Sequence, residues 1–269
     1  MEMDNKKAFT VIAIGTMLAS GILVMGFTKA SVQTNVSSGN IVPVVKAQRP
    51  NLQNVSAIEV IKNYVDSIGG SSELNKVLSI DATMTMIGQN GTMSLNEKKL
   101  VPNKDVETIT LNGIVIMKSV FDGTTGYELQ MDNKRIMTAD EISQKKVFSS
   151  LTEQLDYINN PSFRLTLKGI QKIDGNDAYQ IDVIDPTGKI STDYYDVESK
   201  LLVKNESTDT SGGKTARQIF EISDYRKVGN IKLPFKSIIT EVEGGQMQRF
   251  ILNVTDVKLN AGVTDADFK

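Results

Sequence analysis

The sequence predicts a mainly β protein of the α+β class: a long curved antiparallel sheet, covered by an N-terminal helix and by a helix inserted between two runs of strands. Three observations predict it. At Ile80 the apolar spacing changes from a helical repeat to an alternation of two. From there to Leu259, short alternating segments are closed by Gly, Asp and Asn turns. Two capping signatures, Ser56-Ala-Ile-Glu59 and Thr138-Ala-Asp-Glu141, mark where the helices start.

The chain opens with a segment that stands apart from this pattern. Residues 8–27, "AFTVIAIGTMLASGILVMGF", carry no charge and follow the polar start "MEMDNKK". With small residues at Thr28 and Ala30, residues 1–30 read as an export signal peptide, and the same length of apolar chain also suits a retained membrane anchor. Either reading makes the remainder exported. Residues 31–55, rich in Ser, Asn, Gln and Val without periodicity, read as a flexible tether. The folded domain is expected over 56–269.

Each element then follows in order. Val60, Ile61, Tyr64, Val65 and Ile68 form one apolar stripe at helical spacing, and Gly69-Gly70 ends it, because glycine takes the left-handed conformation past a last turn. "SSELNKVL" (71–78) suits a short helical turn. In "DATMTMIG", Ala82, Met84 and Met86 share one face and Thr83 and Thr85 the other. Gln89-Asn90-Gly91 is a tight-hairpin signal. "TMSLNEKKLV", "DVETITLNG", "IVIMKSVFDG" and "TGYELQMDN" continue the meander. After Thr138, the residues Val147, Phe148, Leu151, Leu155 and Ile158 give the inserted helix an apolar face up to Asn159-Asn160-Pro161. Strands resume over 163–173, 178–184, 190–197, 201–208, 216–225, 231–241 and 246–259, giving about eleven in all.

Composition excludes several functions. The chain has no histidine and no cysteine, which removes His-dependent nucleophiles, the usual zinc ligands, lipidation at an N-terminal cysteine and any disulfide framework. A net charge of −2 offers no footprint for nucleic acid. "SGGKT" (211–215) ends like a phosphate-binding loop, but Thr208 stands where the first glycine belongs and a strand follows instead of a helix. Asp122, Asp132, Asp174, Asp177, Asp185 and Asp196 sit at hairpin ends, where turn chemistry explains them. No enzyme signal and no cofactor motif remains.

Methionine does remain. Met84, Met86, Met93, Met117, Met131, Met137 and Met247 lie in the folded part, mostly on strands, and thioether side chains adapt to irregular apolar shapes. They read either as ordinary core filling or as the lining of a cavity between sheet and helices. The expected lining comprises Ala82, Met84, Met86, Met93, Met117, Leu129 and Met131 from strands, with Phe148, Leu151 and Leu155 from the inserted helix.

"AIEVIKNYVDSIGGSSELNKVLSI", "FDGTTGYEL", "DGNDAYQIDVIDPTGKISTDYYDVESKLLVKNES" and "FEISDYRKVGNIKLPFKSII" resemble the outer-membrane lipoprotein-sorting, LolA/LolB-like family. The version most resembled is the Bacteroidota type often appended to M16 zinc peptidases. The resemblance spans about residues 56–268 and rests on hairpin residues, not on reactive groups. It implies an incomplete antiparallel β-barrel of about eleven strands, closed by helices over an apolar cavity that receives acyl chains of lipids or lipoproteins. It also places Pro234, which has no ladder donor, near an edge or bulge. Two departures stand out: no cysteine for a lipid anchor, and no histidine for a peptidase zinc site.

The expected function is therefore an exported carrier of the periplasm or cell envelope that binds lipid or lipoprotein acyl chains. The alternative is a non-enzymatic module docking an envelope protein, an M16-type peptidase among them. Met84 and Met86 separate the two: lining a continuous cavity favours carriage, and solid packing against helix 56–68 favours docking. The helix after Thr138 is expected to act as a movable cover.

Overall fold

The structure, a computed structural model, describes residues 55–89, 91–131, 133–209 and 215–269. The signal or anchor segment, residues 31–54 of the tether, Asp132 and most of "SGGKT" lie outside the described residues. Helix α1 (Ala57–Ser67) and the single turn α2 (Ser71–Leu74) come first. The first meander follows as β1 (Ser79–Gly88), β2 (Gly91–Leu100), β3 (Lys104–Leu111), β4 (Ile114–Phe121), β5 (Gly126–Gln130) and β6 (Asn133–Ile136). Helices α3 (Ala139–Lys145) and α4 (Glu153–Asn159) separate it from the second. That second meander runs β7 (Arg164–Ile173), β8 (Asn176–Ile184), β9 (Ile190–Asp196), β10 (Leu202–Asp209), β11 (Ala216–Val228), β12 (Ile231–Glu243) and β13 (Gln246–Leu259). A short 3-10 turn, Asp265–Phe268, closes the chain.

All thirteen strands belong to one antiparallel sheet, ordered β6-β5-β4-β3-β2-β1-β13-β12-β11-β10-β9-β8-β7. Every neighbour is a hairpin partner except the central pair, β1 with β13. β6 and β7 end the order, so the barrel stays open, as the mainly β incomplete barrel requires. Among the described residues the strands number thirteen, not about eleven. The four residues of β6, too short to show alternation, are one strand the periodicity passes over.

Helix α1 forms where its stripe requires. Ser56 Oγ accepts from the Glu59 backbone N–H at 3.3 Å, and Val60, Ile61, Tyr64 and Val65 are buried. Gly69 has φ +133°, and a Cβ there would stand 2.9 Å from the Asn230 carbonyl oxygen. Only glycine lets the helix end approach the β11–β12 hairpin this closely, and the contact is sealed by Lys232 N–H donating to the Ile68 carbonyl at 2.8 Å.

The same stretch of β12 accommodates Pro234. Its strand, β12, lies in the interior of the sheet, yet pairing with β13 begins only at Lys236. Beyond that point β13 follows β1 through a bulge at Thr83/Met84 and leaves β12. Pro234 pairs with Tyr225 on one side and faces a local edge on the other, where a missing donor costs nothing.

The expected single inserted helix is two. At Thr138 both halves of the capping box are made, and α3 runs only to Lys145 with no residue buried. Ser149 and Ser150 then turn the chain. Their N–H groups donate to Asp156 Oδ2 at 3.1 and 3.0 Å and their hydroxyls to Oδ1 at 2.9 and 3.0 Å, so side-chain bonds replace the helical ladder. α4 ends at Asn159, ahead of Pro161, as expected. It is α4, not α3, that packs against α1.

Candidate functional site: the helix-covered face of the open sheet

Cross-strand register defines what the helices cover. Met84 lies opposite Leu95, Leu95 opposite Ile109, and Ile109 opposite Met117, so these four share a face across β1 to β4. On the other arm, Ile181, Tyr195, Phe220, Ile239 and Leu252 join the same core, onto which α1 lays its stripe. Burying a side chain of this size stabilises by about 1.5–3 kcal/mol.

Most of the expected lining lies here. Ala82, Met84, Met86, Met117, Leu151 and Leu155 are buried in one continuous apolar cluster with α1, and Met93 and Phe148 are half-buried against it. Leu151 sits in the connection before α4 and Leu155 on α4, while Phe148 stacks on Phe163 at 5.6 Å. The three therefore share an environment without sharing a helix face. Two residues are misplaced. Leu129 alternates with the buried Glu128 and lies opposite Lys118 and Lys134, on the other face of the sheet. Met131 stands in the β5–β6 turn with φ +52°, half exposed at 50%.

Beside the apolar row runs a polar one that apolar periodicity misses. Ala82 lies opposite Glu97, Glu97 opposite Glu107, Glu107 opposite Ser119, Ser119 opposite Glu128, and Glu128 opposite Arg135. Glu97, Glu107, Ser119 and Glu128 are all buried. The next row adds Asp105, opposite Lys99 and Phe121. Burial, and then the neighbouring Glu97 carboxylate, push the Glu107 carboxyl well above the usual range, and burial pushes Glu97 up as well. Lys99 Nζ stands 3.4 Å from Glu97.

Helix α3 reaches this row through charge. Lys145 Nζ lies 2.7 Å from Asp105 Oδ2. Burial works to lower the Lys145 ammonium pKa, but Asp105, Glu107 and Glu97 together hold it above its ordinary value. Arg135 bridges Glu128 (2.6 Å) and Glu141 of α3 (2.7 Å). Gln144 Nε2 donates to Thr187 Oγ1 in the β8–β9 turn, so α3 is tied to both arms of the sheet.

The second arm has its own polar groups on the covered face. Asp193 accepts from Tyr195 Oη and Asn205 Nδ2, each at 2.7 Å, and burial raises its pKa against those bonds. Further along, Ser207, Gln218 and Glu241 stand opposite one another, and Gln218 Nε2 donates to Glu241 Oε1 at 2.8 Å. Burial, with the nearby Glu243 adding to it, pushes Glu241 up to about 7.

No described group of acids is arranged to hold a metal ion. Asp122, Asp185 and Asp196 accept backbone N–H bonds in their own turns, such as Thr125 to Asp122 at 2.7 Å and Ser199 to Asp196 at 2.7 Å, which is turn chemistry.

This architecture places the chain in the class of open, helix-covered antiparallel half-barrels. Among solved structures, it is similar to a domain assigned to outer membrane lipoprotein sorting from Vibrio parahaemolyticus. That match has 14% identity and a TM-score of 0.53, covering 79% of this chain and 95% of that one. A LolA superfamily protein from Nitrosomonas europaea matches at 10% identity and a TM-score of 0.52, covering 80% and 98%. A DUF1329 family protein from Desulfovibrio piger matches at 10% and 0.53, covering 79% and 97%. The chain thus has the LolA-like fold over nearly the whole length of these structures. No protein-family model matches the sequence, and no curated protein matches it.

Proposed function

We propose that this chain is an exported carrier of the periplasm or cell envelope that binds acyl chains of lipids or lipoproteins. The observation that carries this reading is the sheet itself. Thirteen strands curve without closing, and a face lined by Met84, Met86, Leu95, Ile109 and Met117 is covered by short helices instead of by a second sheet. An acyl chain entering between helix and sheet gains about 0.8 kcal/mol per buried methylene, enough for affinity without a covalent anchor. The movable cover is α3, which buries no apolar residue and is held by ion pairs. No catalytic role is assigned.

Purification followed by lipid extraction and mass spectrometry tests the carrier directly, with fluorescent fatty-acid binding as the second readout. A co-purifying lipid or saturable binding supports it. A ligand-free protein that binds no fatty acid overturns it.

One observation favours docking instead. Met84 and Met86 belong to the same buried cluster as the α1 stripe. At one end of the first meander Ile114, Val115 and Met131 are exposed. An envelope protein would bury that surface, and an M16-type peptidase is the partner the Bacteroidota resemblance supplies. Loss of a co-purifying partner on Ile114→Ser, with fatty-acid binding absent from the parent, would decide for it.

A further inference from the structure

The buried row on β2 to β5 contains more acceptors than the chain satisfies. Glu107 Oε1, Ser119 Oγ and Glu128 Oε1 are buried without a hydrogen-bond partner among the described residues, in residues only 5%, 5% and 9% exposed. Orphaned buried polar atoms are costly, and three adjacent ones call for a common explanation.

Their geometry supplies it. Ser119 lies directly opposite Glu107 on one side and Glu128 on the other, with Cβ atoms of such pairs about 4.5–5.5 Å apart. Serine is the smallest side chain of the three, so its hydroxyl lies between two longer carboxyl side chains. Acidic side chains crowd the spot, Glu97, Asp105, Glu107, Glu128 and Glu141 against Lys99, Arg135 and Lys145, and an ammonium there would favour the ionised form of Glu107 that burial disfavours. Arg135 takes Glu128 Oε2 and leaves Oε1. Lys145 is spent on Asp105. The adjacent row on the same face is apolar: Leu95, Ile109 and Met117.

We propose that these oxygens form a head-group subsite, opened when α3 moves aside, for a protonated amine borne on an apolar chain, the ammonium held at Ser119 between Glu107 and Glu128 and the chain lying along the Leu95–Ile109–Met117 row. An ammonium has three N–H donors and no acceptor, which matches three unpartnered acceptors. A carboxylate head brings no donor to these oxygens, and an alcohol brings a single one. The site lies beneath α3, whose Lys145 and Glu141 bonds border it. This inference rests on the carrier reading and adds the class of ligand.

The test uses the full chain and three probes of equal length: dodecylamine, dodecanol and laurate, each below its aggregation concentration and competing against a fluorescent fatty-acid analogue. The amine is expected to bind roughly tenfold or more tighter than the alcohol, as charge-assisted bonds require. Glu107→Gln and Glu128→Gln should weaken amine binding more than alcohol binding and so reduce that preference. Ser119→Val, which removes the central oxygen and crowds the space between the two carboxyls, should abolish the preference. Equal binding of the three probes by the parent chain overturns the subsite and leaves the carrier intact. Binding of none, and of no fatty acid, overturns both. If the Gln variants fail to fold by circular dichroism, the parent's own ranking of the three probes still decides.

Discussion

Glu241 gives the sharpest test of how the covered face is built. Its carboxyl titrates at about 7 in the folded chain, raised from 4.5 by burial with Glu243 adding to it and the Gln218 bond opposing. The folded state therefore holds this proton more tightly than the unfolded one. Stability is unaffected by the group below about pH 4.5, falls as pH rises toward 7, and stays lowered above it. At roughly 1.36 kcal/mol per pKa unit the shift amounts to on the order of 3 kcal/mol, and partial solvent access reduces this to about 1–2 kcal/mol. Glu241→Gln removes the charge and keeps an acceptor for Gln218 Nε2. The variant should melt roughly 3–6 °C above the parent at pH 8 and within about a degree of it at pH 4.5, at a few degrees per kcal/mol for a domain of this size. Thermal melts by circular dichroism at the two pH values measure it. An equal gain at both, or a loss at pH 8, would show that the carboxylate is solvated and the covered face is wetter at this end.

Gly69→Ala should destabilise by about 2 kcal/mol or more in urea melts, because its Cβ would meet the Asn230 carbonyl and the backbone is left-handed. Gly175→Ala, also left-handed but with nothing near its Cβ, should cost clearly less, and equal losses would remove the close-approach argument. Asp156→Ala should free the connection between α3 and α4, since one carboxylate holds both Ser149 and Ser150. Limited proteolysis should then cut within 146–152 well before the parent is cut, and unchanged protection would assign that order to the aromatic packing of Phe148 instead.

Where alternation is strict, face and register were both legible. In β1 the apolar phase of Ile80, Ala82, Met84 and Met86 is the buried phase, because their neighbours Asp81, Thr83 and Thr85 have no reason to turn inward. The same reasoning fails in β5. Tyr127, Leu129 and Met131 mark an apolar phase, but the inward set is Gly126 and Glu128. Glu128 is held inside by Arg135, and Gly126 leaves room for the Val120 carbonyl, 2.7 Å from where a Cβ would sit. Tyr127 meanwhile packs outward with Val120 and Phe268, under the C-terminal turn, so both faces of the sheet are covered there. The acidic row was present in the sequence as a phase coincidence: Glu97 is in step with Met93 and Leu95, and Glu107 with Ile109. A carboxylate in phase with an apolar face is the signal, and the pairing that makes it informative exists only once β2 and β3 lie side by side. The break between α3 and α4 was hidden because it depends on Asp156 reaching back to Ser149 and Ser150.

The strand order also governs how the chain can assemble. Every pairing but one is between consecutive strands, so each meander can zip locally from its turns. The exception, Ile80 with Leu259, joins residues about 180 apart in the chain. Closing that span costs about 2.5 kcal/mol of chain entropy more than closing a ten-residue hairpin. The two arms therefore form early and meet late, and a nascent chain cannot complete its sheet until β13 has left the ribosome. Until then β1 offers an unpaired edge in the middle of the future sheet, which makes the last fourteen-residue strand the one whose loss leaves the largest exposed seam.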